Sequence, residues 1–242
     1  TGRPIIYTSS DSVFQVAAHE DVIAPDQLYA ICQQAETILR PYNVCRVIAR
    51  PFVGTNASDF IRTPRRRDFS PQSPQKTLLD RMSEGGLPVC GIGKIHDLYA
   101  GSGLTHSMSS KHNAEGMTQT LKALREIKAG LILTNLVDFD MLYGHRLDVA
   151  GFATALEAFD RWLPQLFASM KQDDLLLITA DHGCDPTTSG TDHTREYVPI
   201  LAWSPSLTRT QSLGERNSFT DVGATIADIF SLCSVHGVSF LS

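Results

Sequence analysis

The chain has no long hydrophobic run, no excess of basic charge and no paired cysteine motif, and each absence argues against a class of protein. No apolar stretch approaches the ~20 residues that a membrane-spanning helix requires, so we expect no membrane partner. The net charge is -5 at pH 7. This argues against a nucleic-acid partner, because nucleic-acid-binding proteins usually carry a basic face. With 242 residues and 42% hydrophobic content, the chain can bury a sizeable core.

The five cysteines show no Cys-x-x-Cys spacing. An odd number without that spacing favours neither a disulfide framework nor a zinc ribbon. A reducing cytoplasm is therefore the simplest expected setting. Cys184 lies inside a segment rich in metal-ligating residue types, where it is either a thiolate ligand or a small packed thiol. The packed thiol is favoured, because buried thiols are common.

Hydrophobic periodicity predicts helices that alternate with strands. The predicted helices span residues 25–39, 113–129, 149–170 and 220–230. The predicted strands span residues 4–8, 45–52, 87–91, 130–136, 174–179 and 198–202. Such alternation indicates an α/β fold with a largely parallel sheet that helices cover.

Carboxylates and imidazoles are concentrated in residues 138–145 and 179–193, and each segment follows an apolar, strand-like run. In an open α/β sheet, ligands collect outside the carboxyl ends of the strands. This mixture of ligand types suits manganese, zinc or iron better than calcium. Phosphoryl-transfer enzymes often use two such ions about 3.5–4 Å apart. We therefore predict a two-metal site, with the ligands Asp140, His145, Asp181, His182 and His193.

A single Asp or His after a strand is more often a helix cap or a satisfied loop residue than a metal ligand. Five such residues in two segments change that balance. An exposed loop has no structural use for the succession Asp181-His-Gly-Cys-Asp-Pro186 followed by Gly190-Thr-Asp-His-Thr-Arg195. The metal interpretation therefore accounts for these segments better than the structural one.

Around these ligands, the chain resembles the phosphopentomutases, a branch of the alkaline phosphatase superfamily of metalloenzymes. Asp-His-Gly alone is typical of the whole superfamily, whereas the long match around it is specific. The resemblance covers nearly the whole chain. It is carried by the segments Tyr7–Phe14, Ala17–Glu20, Arg46–Gly54, Gly93–Ile95, Val137–Asp140, Gly144–Arg146, Thr179–Pro186 and Gly190–Glu196.

The resemblance implies a partial, doubly wound, alkaline-phosphatase-like core with a smaller α/β cap domain. We expect residues 1–70 to form the C-terminal part of the cap, and residues 71–242 to form the metal-binding core without its N-terminal segment. The proline- and arginine-rich residues 62–76 are predicted to be a linker without regular structure. A site between two domains would suit a closing mechanism.

The resemblance also implies which residues bind which ion. Asp140, His145 and His193 are expected to bind one ion, while Asp181 and His182 bind the second. Two Mn²⁺ ions are the usual occupants, although other divalent metals are compatible. In the family, the second ion takes a further Asp near the N-terminus, and a phosphorylated Thr bridges both ions. Neither has a counterpart here, so we expect either a fragment or a degenerate relative.

Candidate contacts to a pentose phosphate substrate are Ser9, Asp11, Arg46, Arg62 and Lys94. Arginine matches phosphate geometry with two parallel hydrogen bonds. From the residues alone, each has an ordinary alternative as a helix cap, a solvated charge or a surface lysine. Asp138 and Arg146 are expected to orient the metal ligands from outside the coordination sphere.

The resemblance implies interconversion of ribose 1-phosphate and ribose 5-phosphate, and of the deoxyribose esters, in nucleoside catabolism. The family's phosphothreonine passes its phosphoryl group to the substrate, and the resulting bisphosphate returns the other phosphate. Two alternatives stay open. One is another superfamily activity, such as a phosphomonoesterase, a phosphodiesterase or the cofactor-independent phosphoglycerate mutase. The other is a non-catalytic relative that binds metal or sugar phosphate without turnover. The sequence does not indicate the oligomeric state.

Overall fold

The computed structural model of this chain describes residues 2–9, 12–42, 44, 46–70, 73, 75–233 and 236–241. The chain divides into two compact units. Unit 1 comprises Thr1–Pro74 with Asp97–Ala100, and unit 2 comprises Gln75–His96 with Gly101–Ser242. Among the described residues, none of the helices combines the length and the apolar character needed to cross a membrane.

Unit 1 contains a mixed sheet of five strands. Strands β2 and β3 are parallel, β1 pairs antiparallel with β2, and both β4 and β5 pair antiparallel with β3. One long helix, α1, covers this sheet. The elements are β1 (Ile5–Ser9), β2 (Val13–His19), α1 (Pro25–Leu39), a 3₁₀ turn (Arg40–Tyr42), β3 (Arg46–Val53), β4 (Ile61–Arg62) and β5 (Arg67–Phe69).

The core of unit 1 lies between the sheet and α1. Alternate residues of a strand point to opposite faces, so the face that carries Val47 and Ala49 packs against Leu28 and Cys32 of α1. The intervening β3 residues, including Arg46, point to the other face. Helix α1 begins at Pro25, where the missing amide hydrogen costs nothing because the first turn has no acceptor for it.

The predicted linker over residues 62–76 is wrong in part. Arg62 belongs to β4, and β5 (Arg67–Phe69) pairs with Val47–Ala49 of β3. Phe69 packs against the core of unit 1, and this packing stabilises a strand too short for its periodicity to be visible in the sequence. Pro64 lies between the two strands, while Pro71 and Pro74 lie outside the described residues.

Unit 2 contains a parallel sheet in the order β7-β6-β8 and a separate antiparallel pair, β9 and β10. The central strand β6 is buried at all four positions. Cys90 and Ile92 of this strand pack against Ala123 of α4. The elements are α2 (Leu78–Glu84), β6 (Val89–Ile92), α3 (Ile95–Leu98, of which the last two residues are assigned to unit 1), β7 (His106–Met108), α4 (Asn113–Glu126), β8 (Leu131–Thr134), α5 (Val149–Ser169), β9 (Leu176–Thr179), β10 (Ile200–Trp203) and α6 (Thr220–Ile229).

The α/β fold class is confirmed, and the six predicted strands and four predicted helices all have counterparts in the structure. The expectation of a largely parallel sheet holds for β6, β7 and β8. The sheet of unit 1 is mixed, with β2 and β3 parallel, and β9 pairs antiparallel with β10. The central strand β6, which is paired on both edges, is fully buried, whereas β9 and β10 are half-buried or partly exposed. Two further expectations stay predictions. One is a domain boundary between residues 70 and 71, and the other is the division of the chain there into a cap and a core.

Candidate metal centre

A single π-helical turn, Phe139–Gly144, follows β8 and carries two of the predicted ligands at its ends. The amide of His145 donates to the carbonyl of Asp140 at 3.1 Å, which is the five-residue spacing of a π turn. In an α-helix, residues five apart would be rotated from each other by roughly 140°. The wider turn brings Asp140 and His145 to the same side, and π turns of this kind are frequent at functional sites.

Three ligand atoms converge beside this turn. Oδ1 of Asp140 lies 3.1 Å from Nε2 of His145 and 3.1 Å from Nε2 of His193. Candidate ligand atoms of the three residues all lie within 4.8 Å of one another. The exposed fraction of the side chain is 25% for Asp140, 40% for His145 and 37% for His193. An ion from solvent could therefore reach all three.

The hydrogen bonding of His145 makes this convergence fit a cation. Its Nδ1 lies against the carbonyl oxygen of Thr191. A carbonyl oxygen only accepts, so Nδ1 carries the proton and a neutral ring has its lone pair on Nε2. That lone pair faces a carboxylate oxygen, which also only accepts. Two acceptors at hydrogen-bonding distance require a positive species between them, either a proton or a metal ion.

His182 is held by the same kind of contact. Its Nδ1 lies 3.0 Å from the carbonyl oxygen of Gly183, which leaves Nε2 as the lone-pair atom. Its ring stacks on that of His193, with centroids 3.6 Å apart, and His193 stacks on His145 at 4.9 Å. Asp181 Oδ1 lies 3.7 Å from His182 Nε2, and the Asp181 side chain is 63% exposed. The structure thus groups His182 with the first three ligands and leaves Asp181 at the exposed margin.

Two contacts join the segments that carry these ligands. A β-bridge between Gly183 and Thr194 closes the loop between His182 and His193, so that the two rings stand side by side. Gly144, at the end of the π turn, packs against Cys184. A Cβ atom at position 144 would lie 2.0 Å from the Cys184 sulfur, so only glycine fits there without displacement.

The pKa of the Cys184 thiol is raised by burial and, to a smaller extent, by the negative charges of Asp140, Glu196 and other nearby carboxylates. The raised pKa favours the neutral thiol when no ion is bound. Of the two interpretations of Cys184, the packing of its sulfur against Gly144 supports a packed thiol.

The predicted substrate contact Lys94 lies next to a predicted metal ligand. Its Nζ is 3.6 Å from Oδ2 of Asp140, the oxygen that does not face the histidines. Lys94 follows β6 by way of Gly93, which has a φ of 79°. A Cβ atom at that position would lie 2.6 Å from the carbonyl oxygen of Asn135. Glycine therefore allows the chain to turn close to the segment that follows β8.

The other predicted substrate contacts belong to unit 1. Ser9 is the last residue of β1, and Asp11 lies outside the described residues. Arg46 begins β3 and forms an ion pair of 3.2 Å with Asp68. Arg62 in β4 pairs with Phe52. By strand alternation, Arg46 and Arg62 share the sheet face opposite α1. The structure groups these two arginines in unit 1, while Lys94 lies in unit 2.

Sequence reasoning missed Asn113 and the carbonyl oxygen of Thr191. Asn113 forms two hydrogen bonds with Asp138, the residue just before the π turn. No periodicity or motif connects positions 25 residues apart. Backbone carbonyls carry no sequence signal at all, so the anchor of His145 is visible only in three dimensions.

Comparisons with known proteins agree with this geometry. Residues 90–233 match the metalloenzyme superfamily. The whole chain is similar to proteins named phosphopentomutase. It is 57% identical over 241 residues to the one from Syntrophotalea carbinolica, and 54% identical over 243 residues to the one from Caldanaerobacter subterraneus. The relative from Dictyoglomus thermophilum is 53% identical over 244 residues.

These alignments include all of this chain and 62% of each of the three relatives. The superfamily match spans well over half of the chain and includes every predicted metal ligand. Divalent-metal binding is the property that this superfamily implies, and the cluster of Asp140, His145 and His193 offers suitable ligands for it. The chain therefore belongs to the metalloenzyme superfamily.

Proposed function

We propose that this chain is part of a phosphopentomutase, which interconverts ribose 1-phosphate and ribose 5-phosphate and the corresponding deoxyribose esters. The observation that carries the proposal is the similarity to phosphopentomutases, which extends over all of the chain at 51–57% identity. It includes unit 1 as well as the metal ligands. A superfamily member with a different reaction would share the metal ligands but not the unit 1 segments.

In this proposal, Asp140, His145 and His193 hold one divalent ion, and Asp181 and His182 contribute to a second. Both ions are proposed to be Mn²⁺, the usual occupant in the family that the chain resembles. The mixed carboxylate and imidazole ligands are compatible with manganese, as they are with zinc or iron. Bound ions neutralise negative charge on the transferred phosphoryl group. The carbonyl oxygens of Thr191 and Gly183 fix the rings of His145 and His182, so that Nε2 of each ring presents its lone pair.

The proposed substrate contacts are Ser9, Asp11, Arg46, Arg62 and Lys94. Lys94 is close enough to Asp140 to contact a phosphate that is also bound beside the metal ligands. Arg46 is oriented by Asp68 through one nitrogen. A guanidinium group has five N–H donors, so Arg46 keeps further donors for a phosphate. We also propose that the protein acts in nucleoside catabolism in a reducing cytoplasm, where the four free cysteines of the described part would persist.

A second candidate function is metal and sugar-phosphate binding without turnover. Two observations favour it for this chain taken alone. The chain covers 62% of the length of the Syntrophotalea carbinolica relative. The predicted second ion also has only Asp181 and His182 as ligands, fewer than the three residues offered to the first. A site with too few ligands can bind an ion weakly and still fail to support transfer.

Ribose 1-phosphate with a labelled phosphate separates these alternatives. The assay would use the chain alone and a fusion with the part of the Syntrophotalea carbinolica relative that this chain does not cover, both with Mn²⁺. We expect the fusion to move label to ribose 5-phosphate with little release of inorganic phosphate. Dominant release of phosphate would indicate a hydrolase instead. Metal binding by the chain without either product, together with an active fusion, would identify the chain alone as non-catalytic.

A further inference from the structure

We propose that Asn113 is a positioning residue for the metal ligand Asp140, and that it acts through Asp138. This inference rests on the proposed function, because it assigns a role in the same metal site. It concerns the support of the ligand rather than the coordination of the ion. Asn113 itself faces Asp138 and is buried, with 8% of its surface exposed.

The contact between Asn113 and Asp138 is reciprocal. The amide of Asn113 donates to Oδ2 of Asp138 at 2.8 Å, and the amide of Asp138 donates to Oδ1 of Asn113 at 2.9 Å. Both residues are buried. Each backbone amide thus has a side-chain acceptor in the other segment, so neither segment can shift without leaving a buried donor unpaired.

Helix α4 needs this contact at its first turn. The preceding residue, His112, makes no capping hydrogen bond with its side chain. Asp138 takes over that role by accepting from the amide of Asn113, the first helical residue. The first turn of α4 and the start of the metal-binding turn are therefore stabilised by the same pair of side chains.

Helix α4 is a firm base for the pair. Ala123 and Leu121 of this helix are 0% and 5% exposed, and Ala123 packs against β6. The hydroxyl groups of Thr120 and Thr134 lie 2.8 Å apart and join α4 to the end of β8. Asp138 is thus held from α4 only two residues before Asp140. Fixing the backbone there limits how far the Asp140 carboxylate can move from the histidines.

A second explanation is that the negative charge of Asp138, rather than its hydrogen bonds, supports the site. Within the described part of the chain, Oδ1 of Asp138 has no hydrogen-bond partner, and Nδ1 of His112 lies 3.6 Å away. Asp138→Asn separates the two explanations. It keeps the side-chain oxygen that accepts from Asn113 and removes only the charge.

The test uses the 242-residue chain and titrates it with Mn²⁺ alone. Co²⁺ titration adds a visible spectrum that reports the geometry of the ligands. We expect Asn113→Ala to weaken Mn²⁺ binding by about 10–100-fold and to change the Co²⁺ spectrum, as loss of a supporting partner typically does. Asp138→Asn should weaken Mn²⁺ binding by less than about 10-fold, and so less than Asn113→Ala, because it removes the charge but keeps the side-chain oxygen that accepts from Asn113.

Thr118→Ala is the matched control. Thr118 lies on the same helix and is exposed, and its side chain bonds to the carbonyl of Ala114 and to no other group in the described part of the chain. Its loss should therefore leave both titrations unchanged. Unaltered Mn²⁺ affinity and Co²⁺ spectrum in Asn113→Ala would overturn the inference while leaving the proposed function intact.

Asp138→Ala keeps the proposal falsifiable if Asn113→Ala does not fold, because it removes the other side-chain acceptor of the pair. Unaltered Mn²⁺ affinity and Co²⁺ spectrum in Asp138→Ala would overturn the positioning role. A loss of more than about 10-fold in Asp138→Asn would identify charge as the cause and overturn the positioning role. Failure of the unaltered chain to bind either ion would instead contradict the metal site, and with it the proposed function.

Discussion

The charged groups of unit 1 are complementary to one another, whereas Asp140 and His145 of the candidate metal centre in unit 2 face each other as two acceptors. In unit 1, Asp68 accepts hydrogen bonds from Arg46 and from Arg66, so each acceptor faces a donor. In unit 2, Oδ1 of Asp140 faces two imidazole nitrogens, and one of these, in His145, has its proton on the opposite side of the ring. The first arrangement is complete by itself, whereas the second requires a proton or a metal ion between Asp140 and His145.

This difference shows how a structural charge cluster can be distinguished from a binding site. Both clusters contain a partly buried carboxylate with basic residues around it. The two clusters differ in where the protons lie. In the candidate metal centre, the carbonyl oxygen of Thr191 holds the proton of His145 on Nδ1, so that Nε2 faces Asp140 without one. Substitutions in the two clusters test this distinction.

Replacing the central carboxylate of the metal centre should have the largest effect. We expect Asp140→Asn to weaken Mn²⁺ binding by about 100-fold or more, beyond what is typical for residues outside the coordination sphere. Isothermal titration measures this directly. Asp68→Asn in unit 1 is the matched control and should leave Mn²⁺ affinity unchanged. Equal losses of Mn²⁺ affinity in both variants would contradict the distinction between a structural charge cluster in unit 1 and a metal-binding cluster in unit 2.

Gly144→Ala should disrupt the packing of the π turn on Cys184. The added Cβ would overlap the sulfur, and overpacking of this kind costs about 1–3 kcal/mol of unfolding free energy. Urea denaturation measures the loss. Adding Cys184→Ala in the same chain should restore part of it, because the clashing sulfur is then absent, while the carbonyl oxygen of Phe139 remains 2.9 Å from the added Cβ. Additive losses in the double variant would contradict the contact.

The stability of unit 1 should fall at high pH because of Cys32. Burial raises the pKa of this thiol from 9.0 to about 11. The raised pKa means that the neutral thiol stabilises the fold below pH 9, and that this contribution is lost as the pH rises through about 11. The expected loss is on the order of 2 kcal/mol by that pH. Cys32→Ala should remove this part of the pH dependence, as followed by urea denaturation at several pH values.

Asp68→Asn should have a small effect on the free energy of unfolding. The effect should be present at neutral pH and should disappear in acid. Burial raises the pKa of Asp68, but hydrogen bonds and the charges of Arg66 and Arg46 outweigh burial and lower it below 3.8. The carboxylate therefore stabilises the fold above that pH, and the contribution is lost as the pH falls through its lowered pKa. We expect a difference of about 1 kcal/mol between the variant and the unaltered chain at pH 7. A difference that does not diminish as the pH is lowered into the acid range would contradict this account.

The sequence predicted long, periodic elements well and short or irregular ones poorly. Helix α1 begins at Pro25 and ends at Leu39, as expected, because a proline marks its start and apolar residues repeat along it. Strand β5 was assigned to a linker, since three residues give no periodic signal. The π turn Phe139–Gly144 is equally invisible, because its spacing matches neither a helix nor a strand template.

The site shows the same limit. Residue types identified Asp140, His145 and His193 as ligands, and the structure brings their ligand atoms together, although their metal-binding role stays a prediction. Neither the anchor of His145 on Thr191 nor the pair formed by Asn113 and Asp138 could be predicted, because both join segments distant in sequence. Composition identifies which residues can bind a metal, and only packing shows how they are held.

The most direct test of the account is the manganese stoichiometry and affinity of this chain, measured by metal analysis and titration of the unaltered protein and of His145→Ala. We predict one well-bound ion at Asp140, His145 and His193, and weaker binding of a second at Asp181 and His182. His145→Ala should abolish the first. Absence of manganese binding, or binding that His145→Ala leaves unchanged, would contradict the claim that these residues form a metal centre.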